Sequence, residues 1–316
     1  MNKQARINRV GRGAYEGQPQ PGTATAAALF TVFVWALSFP LTKIALADMP
    51  PLQLAAARFA VASLFIVSWL VWARPRLPSF SDALRFVLCG LVGIAIYNAL
   101  LNTGQKSVSA SAASFIVNTV PILTALFATL VLDERFTRWG WAGAVIGFAG
   151  VGIIVAGQPG GFTFGSGALL IFGSAIAQAA FFVIQRPLVP RYGALASTAY
   201  TMLAGTLMLG PWISDGLAIL AAPDTARSTI LAVVALAALP AVLGYAAWAY
   251  TLGHFGAARS GTFLYLVPPM ATALSFGLTG EQPSVTTIIG GLIAVAGVAL
   301  VNAGGKPQPR IAAYRK

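Results

Sequence analysis

Carboxylates are scarce in this sequence. There are eight in 316 residues: Glu16, Asp48, Asp82, Asp133, Glu134, Asp215, Asp224 and Glu281. Each falls in a tail, in a gap between apolar runs or at the end of a run. None is placed for the usual task of an intramembrane Asp or Glu, relaying protons or ions. Histidine and cysteine occur once each. His254 lies in the gap just past the eighth run, while Cys89 lies inside a run, lacks a partner for an internal disulfide and reads as a small packing residue. Hydrolysis or group transfer would need an Asp, His or Cys constellation, and these residues supply none. An enzyme is therefore not expected, nor is a metal or cofactor site. Charge of either sign is also sparse, at 9% of residues, where a soluble domain carries about 25%. Such a chain cannot coat a water-facing surface. Its net charge of +12 sits in the gaps between apolar runs, which argues against a nucleic-acid partner.

What is abundant is apolar sequence, 57% of the chain, with a mean hydropathy of +0.78. It is arranged in ten runs, over residues 24–46, 52–72, 83–103, 108–132, 139–156, 167–186, 194–213, 228–250, 259–279 and 285–303. Helices of about 20 residues cross about 30 Å of hydrocarbon. Strand-type alternation is missing, so helices are the way for the backbone to satisfy itself in lipid. The sequence predicts an all-α polytopic membrane protein with ten transmembrane helices and short connections. Residues 1–22, with Lys3, Arg6, Arg9 and Arg12, read as a disordered basic tail, not a cleaved signal peptide, because the run that follows is too long. Residues 305–316 form a second basic tail.

Lys and Arg alternate in density from gap to gap. Sixteen fall on one side of the membrane and three, Lys43, Lys106 and Arg227, on the other, with Arg58 left inside the second run. The positive-inside rule then places both termini in the cytoplasm. A constant shift of 147 residues maps Val120-Pro121 onto Val267-Pro268, Glu134 onto Glu281, Gly143 onto Gly290 and Ala149-Gly150-Val151 onto Ala296-Gly297-Val298. Two halves follow, over 23–157 and 158–304. Each holds five spans, an odd number, so the halves enter the membrane from opposite sides. Such inverted repeats are common in secondary transporters, with the site near the midplane between halves.

The stretch Trp35-Ala-Leu-Ser38-Phe39-Pro40, the pair Arg58-Phe59, Pro121 followed by Asp133-Glu134-Arg135, and the Gly-rich fifth run together resemble the EamA family, the ten-helix branch of the drug/metabolite transporter superfamily. Within it the chain is most similar to the YddG-type exporters of aromatic amino acids. The resemblance implies a bacterial inner-membrane exporter of small metabolites. It does not bring the proton-exchange mechanism of the small multidrug-resistance relatives, whose intramembrane glutamate has no counterpart here.

In lipid, polar side chains mark packed or wet helix faces. They recur at helical spacing in several runs, and the 147-residue shift pairs Asn118 with Tyr265, Asn98 with Tyr245, Thr31 with Gln178 and Ser38 with Gln185. The expected substrate-binding set is Trp35, Ser38, Tyr97, Asn98, Asn102, Asn118, Gln178, Tyr245, Trp248 and Tyr265. Its aromatic members could stack a planar ring or serve as ordinary packing. Any single Ser or Thr fits interhelical hydrogen bonding equally well. Pro121 and Pro268 read as a pair of kinks, either conformational hinges or static bends. Gly143, Gly147, Gly290, Gly291 and Gly297 point to close helix packing. Lys43 is expected to snorkel, and Arg58 to pair with helix-end carbonyls or with a substrate carboxylate. The expected partners are the bilayer and a small molecule, an aromatic or other neutral amino acid. Without a titratable relay, export by uniport is expected, with proton coupling as the rival.

Overall fold

The computed structural model describes residues 21–131, 137–157, 166–248, 250–251 and 263–304. Asp133-Glu134-Arg135, His254, Arg259, most of both tails and the junction between the halves lie outside these residues. No strand occurs among the described residues. The helices are α1 (Pro21–Ala45), α2 (Pro51–Ala73), α3 (Phe80–Gly90), α4 (Tyr97–Gln105), α5 (Ala110–Val117), α6 (Val120–Val131) and α7 (Arg138–Ala156) in the first half. In the second come α8 (Ser166–Gln185), α9 (Val189–Tyr192), α10 (Ala194–Met208), α11 (Ile213–Ala221), α12 (Arg227–Ala238), α13 (Val267–Thr279) and α14 (Val285–Gly304). Among the described residues six stretches are long and apolar enough to cross a membrane. A bent pair and three shorter apolar helices bring the number of spans to ten, in two inverted repeats of five.

Local sequence explains the boundaries. Ser79, Ser109 and Thr137 accept the backbone N–H of Asp82, Ala112 and Gly140 and so cap α3, α5 and α7. Pro51 occupies the first turn of α2, where no amide donor is needed. Gly280, at φ +69°, ends α13 in the left-handed conformation that favours glycine. Three runs differ from expectation. The fourth is broken at Asn118-Thr119, so Pro121 sits in the first turn of the fresh helix α6, and Pro268 likewise sits in the first turn of α13. Neither proline kinks a continuous helix, because a helix that restarts at proline has no donor to lose. The seventh run extends past residue 213, bending by 62° at Gly210-Pro211 into α11.

Alternate connections gather at two ends. At the near end, where α1 begins, Asp82 of α3 accepts hydrogen bonds from Arg191 Nη1 at 2.9 Å and from the Tyr192 hydroxyl at 2.9 Å. At the far end, where α1 finishes, Asp48 accepts from Thr229 Oγ1 at 2.5 Å, tying the start of α12 to the connection after α1. The halves also meet along α7 and α14, which run antiparallel. A Cβ on Gly150 would stand 2.4 Å from the Ala294 nitrogen and 2.5 Å from the Gly290 oxygen, and one on Gly297 would stand 2.3 Å from the Gly147 nitrogen and 2.6 Å from the Gly143 oxygen. The 147-residue shift exchanges these two sets of contacts, as a two-fold axis between the repeats requires. Outward, Leu64, Trp72, Leu130, Val145, Leu231 and Leu292 are exposed, an apolar surface suited to lipid.

Candidate functional site

Two π-helical segments position the candidate site, and neither has a sequence signature. The first, Leu91–Ile96, joins α3 to α4, and the second, Leu239–Gly244, follows α12. They occupy nearly equivalent places in the two halves. A π-turn widens the helix by one residue and often marks a functional site. In the second segment Pro240 lacks the amide that a regular turn would use. In the first, Gly90 and Gly93 let neighbours approach closely: a Cβ would lie 2.4 Å from the Gly205 nitrogen and 2.4 Å from Phe181 Cγ. Side chains use the carbonyls of these segments. Trp35 Nε1 donates to the Pro240 oxygen at 3.3 Å, Thr31 Oγ1 to the Gly244 oxygen at 3.4 Å and Asn98 Nδ2 to the Ile94 oxygen at 2.8 Å.

The residues just after the two π-segments converge with α1 and α2. The Trp35 ring lies 5.5 Å from that of Tyr245, at 62°, and 5.4 Å from that of Trp248, at 50°. These are tilted, edge-type geometries favoured by aromatic quadrupoles. Arg58 of α2 lies within electrostatic reach of both Tyr97 and Tyr245. Trp35, Arg58, Tyr97, Tyr245 and Trp248 therefore form one cluster, drawn from α1 and α2, from α4 behind the first π-segment and from the stretch behind the second. All five are half-buried.

The remaining expected residues are placed variously. Asn98 and Asn102 are buried on α4, and Asn102 Nδ2 donates to the Pro51 oxygen at 3.1 Å. Asn98 Oδ1, Asn102 Oδ1, Asn118 Nδ2 and Gln178 Oε1 are buried atoms without a protein hydrogen-bond partner, as is rare in a settled interior. Ser38 donates to the Trp35 oxygen of its own helix at 2.6 Å. Tyr265 stands elsewhere: its hydroxyl donates to the Val298 oxygen at 3.0 Å, and its ring packs with Ile122, Ala144 and Val298. There it ties α14 to the segment before α13.

Sequence reasoning missed the far-end tie. Lys43 does not snorkel to the surface. It turns inward, because the ends of α4 and α5 present carbonyls there: Nζ donates to the oxygens of Gln105 at 2.8 Å and Val108 at 3.2 Å. It also pairs with Glu281 at 3.8 Å, whose other carboxylate oxygen accepts the Ala110 amide at 2.9 Å. The pair lines a cavity of about 430 Å³ with Asp48, Thr229 and Thr279. Lys43 and Glu281 both lie at run ends, but nothing in the sequence pairs residues from opposite halves.

The sequence profile of the EamA-like transporter family matches residues 23–156 and again 165–303. The chain belongs to the EamA-like transporter family. Its relatives in this family include the uncharacterized transporter YdfC of Bacillus subtilis, 33% identical over 269 residues, covering 84% of this chain and 86% of YdfC. A probable terminal-alkyne amino-acid exporter of Streptantibioticus cattleyicolor is 32% identical over 286 residues, covering 88% and 93% of the two chains. The inner membrane transporter YedA of Escherichia coli is 27% identical over 281 residues, covering 88% and 90%. A crystal structure superposes on this EamA-like chain with a TM-score of 0.61 at 24% identity, covering 89% of this chain and 96% of that one. It supports the fold. This EamA-like chain is thus a multi-span membrane protein of a transporter family.

Proposed function

We propose that the chain exports amino acids, aromatic ones preferred, across the bacterial inner membrane by alternating access, as the YddG-type exporters do. The observation that carries this reading is the convergence of Trp35, Tyr97, Tyr245 and Trp248, drawn from both halves, around Arg58. Aromatic faces suit a planar substrate ring, while a few polar groups orient its other end. Asn98, Asn102, Asn118 and Gln178 offer unpartnered polar atoms for that end, with Ser38 beside Trp35. Rocking of residues 23–157 against 158–304 would expose the site to each side in turn, with the breaks before Pro121 and Pro268 as hinges. The near end is assigned to the cytoplasm, with both termini. The name of the Streptantibioticus relative supports amino acids as the substrate class. A metabolite made in the cytoplasm already has an outward gradient, so uniport suffices: seven of the eight carboxylates lie outside the apolar runs, and the eighth, Asp215, is exposed in the first turn of α11 after the bend.

Two experiments test this. In liposomes without a pH gradient or membrane potential, the protein is expected to carry L-phenylalanine down its own gradient, insensitive to protonophores. Trp35→Ala should lower that flux at least ten-fold while the protein stays folded. Accumulation against the substrate gradient, driven by protons, would overturn uniport. Normal flux with Trp35→Ala would remove the aromatic cluster as the site. For orientation, in whole cells with Cys89 replaced by Ala, a cysteine introduced at residues 157–160 should react with an impermeant maleimide and one near Arg74 should not. The reverse pattern would invert the assignment.

A further inference from the structure

Arg58 sits seven residues into α2, about 10 Å along the helix axis from Pro51 at 1.5 Å per residue. Arginine keeps its charge in any protein environment, and a charge inside a membrane bundle normally faces a partner, a pathway or water. Among the described residues Arg58 has no hydrogen-bond or ion-pair partner. Its Nε is buried without a hydrogen bond. Among the described residues no carboxylate pairs with it, and Asp48, Asp82 and Glu281 are engaged at the two ends of the bundle. Its Cζ lies 5.1 Å from the centroid of the adjacent Phe59 ring, and an aromatic face accepts no charge-assisted hydrogen bond of the carboxylate kind. The helix-end carbonyls expected as its partners are not used. Around it stand aromatic groups of the proposed site, with Tyr97 and Tyr245 within electrostatic reach.

A guanidinium with fixed forked donors fits a carboxylate. We infer that Arg58 is the anchor for the carboxylate of the transported molecule, which enters as its missing counter-ion, while Trp35, Tyr245 and Trp248 hold the substrate ring. The inference rests on the amino-acid reading above and deepens it. It specifies that the substrate must carry an acid group and that neutralising Arg58 is part of recognition. A substrate without that group leaves the guanidinium desolvated and unpaired, so selection against it is built into the site.

The test uses the purified full-length protein and its tryptophan fluorescence, titrated with L-phenylalanine and with L-phenylalaninamide, which lacks the carboxylate. The native protein is expected to bind the acid at least ten-fold more tightly than the amide. Arg58→Gln should weaken binding of the acid at least ten-fold and leave the amide within about three-fold. Arg58→Lys, which keeps the charge but loses the fork, should fall between. Equal losses for both ligands in Arg58→Gln would overturn the anchor, and so would an unchanged preference. If the native protein binds both ligands without preference, the anchor falls and the aromatic site stands. If it binds neither, the amino-acid reading falls and takes the anchor with it. Should Arg58→Gln not fold, the native preference and Arg58→Lys decide the matter, since loss of preference in the lysine variant supports the anchor and an unchanged preference refutes it.

Discussion

Gly150→Leu is expected to abolish folded protein in the membrane, and Gly150→Ala to lower the thermal midpoint in detergent clearly. A Cβ on Gly150 would meet the Ala294 nitrogen at 2.4 Å and the Gly290 oxygen at 2.5 Å. Both are backbone atoms of α14, so no side-chain rotation can make room. Overpacking a tight interior costs about 1–3 kcal/mol, and here a whole helix must move. In lipid, packing of this kind is what holds helices together, because water no longer drives association. The same loss is expected for Gly297→Leu, whose Cβ would stand 2.3 Å from the Gly147 nitrogen. Gly152→Ala is the control, since nothing lies within 4 Å of its Cβ. That variant should match or slightly exceed the native midpoint, because alanine is the better helix former by about 1 kcal/mol. Fluorescence-detected gel filtration and thermal ramps read both outcomes. A native-like Gly150→Leu would mean that α7 and α14 do not pack as described.

Glu281→Lys is expected to open the far end. In the native protein Lys43 and Glu281 attract each other across 3.8 Å, and their side chains are only 27% and 22% exposed. A second ammonium at that separation replaces attraction by repulsion of about 1–4 kcal/mol, depending on how far water screens it. It also removes the carboxylate that accepts the Ala110 amide. The tie joins the ends of α1, α4 and α5 in one half to the start of the loop after α13 in the other. Ser111, on α5 beside this tie, is fully buried. In a Cys89→Ala background, Ser111→Cys should react slowly with an impermeant thiol reagent, and at least ten-fold faster once Glu281→Lys is added. Flux should fall at least ten-fold, because a carrier that cannot close one end cannot complete its cycle. An unchanged labelling rate would show that the pair is structural and not a gate.

Much of this molecule is legible without coordinates. In lipid the backbone can satisfy itself only as helix or barrel, so ten apolar runs without strand alternation led to ten helical spans, several of them broken. The 147-residue shift declared the repeat, because paired positions such as Gly150 and Gly297 must keep the same small residue to allow the same close approach. The gathering of polar groups on inner faces was visible too, since lipid penalises them elsewhere.

Which of those groups meet was decided by the tertiary structure alone. Hydropathy cannot separate a core-facing from a lipid-facing position when both are apolar, so helix rotation is written only weakly in the sequence. A π-turn inserts one residue without changing composition, yet it re-aims everything after it. Tyr97 and Tyr245 owe their positions to such turns, and Trp35 reaches the carbonyl of Pro240, 205 residues away. Tyr265, paired with Asn118 by the repeat, turned instead to the Val298 carbonyl, because a phenol near a helix packs where an acceptor is offered. Lys43 and Glu281, and Arg58 within electrostatic reach of the Tyr97 and Tyr245 phenols, follow the same rule. The sequence supplied the charges, and only the packing of spans from distant parts of the chain determined which of them, among the described residues, find an ion-pair partner.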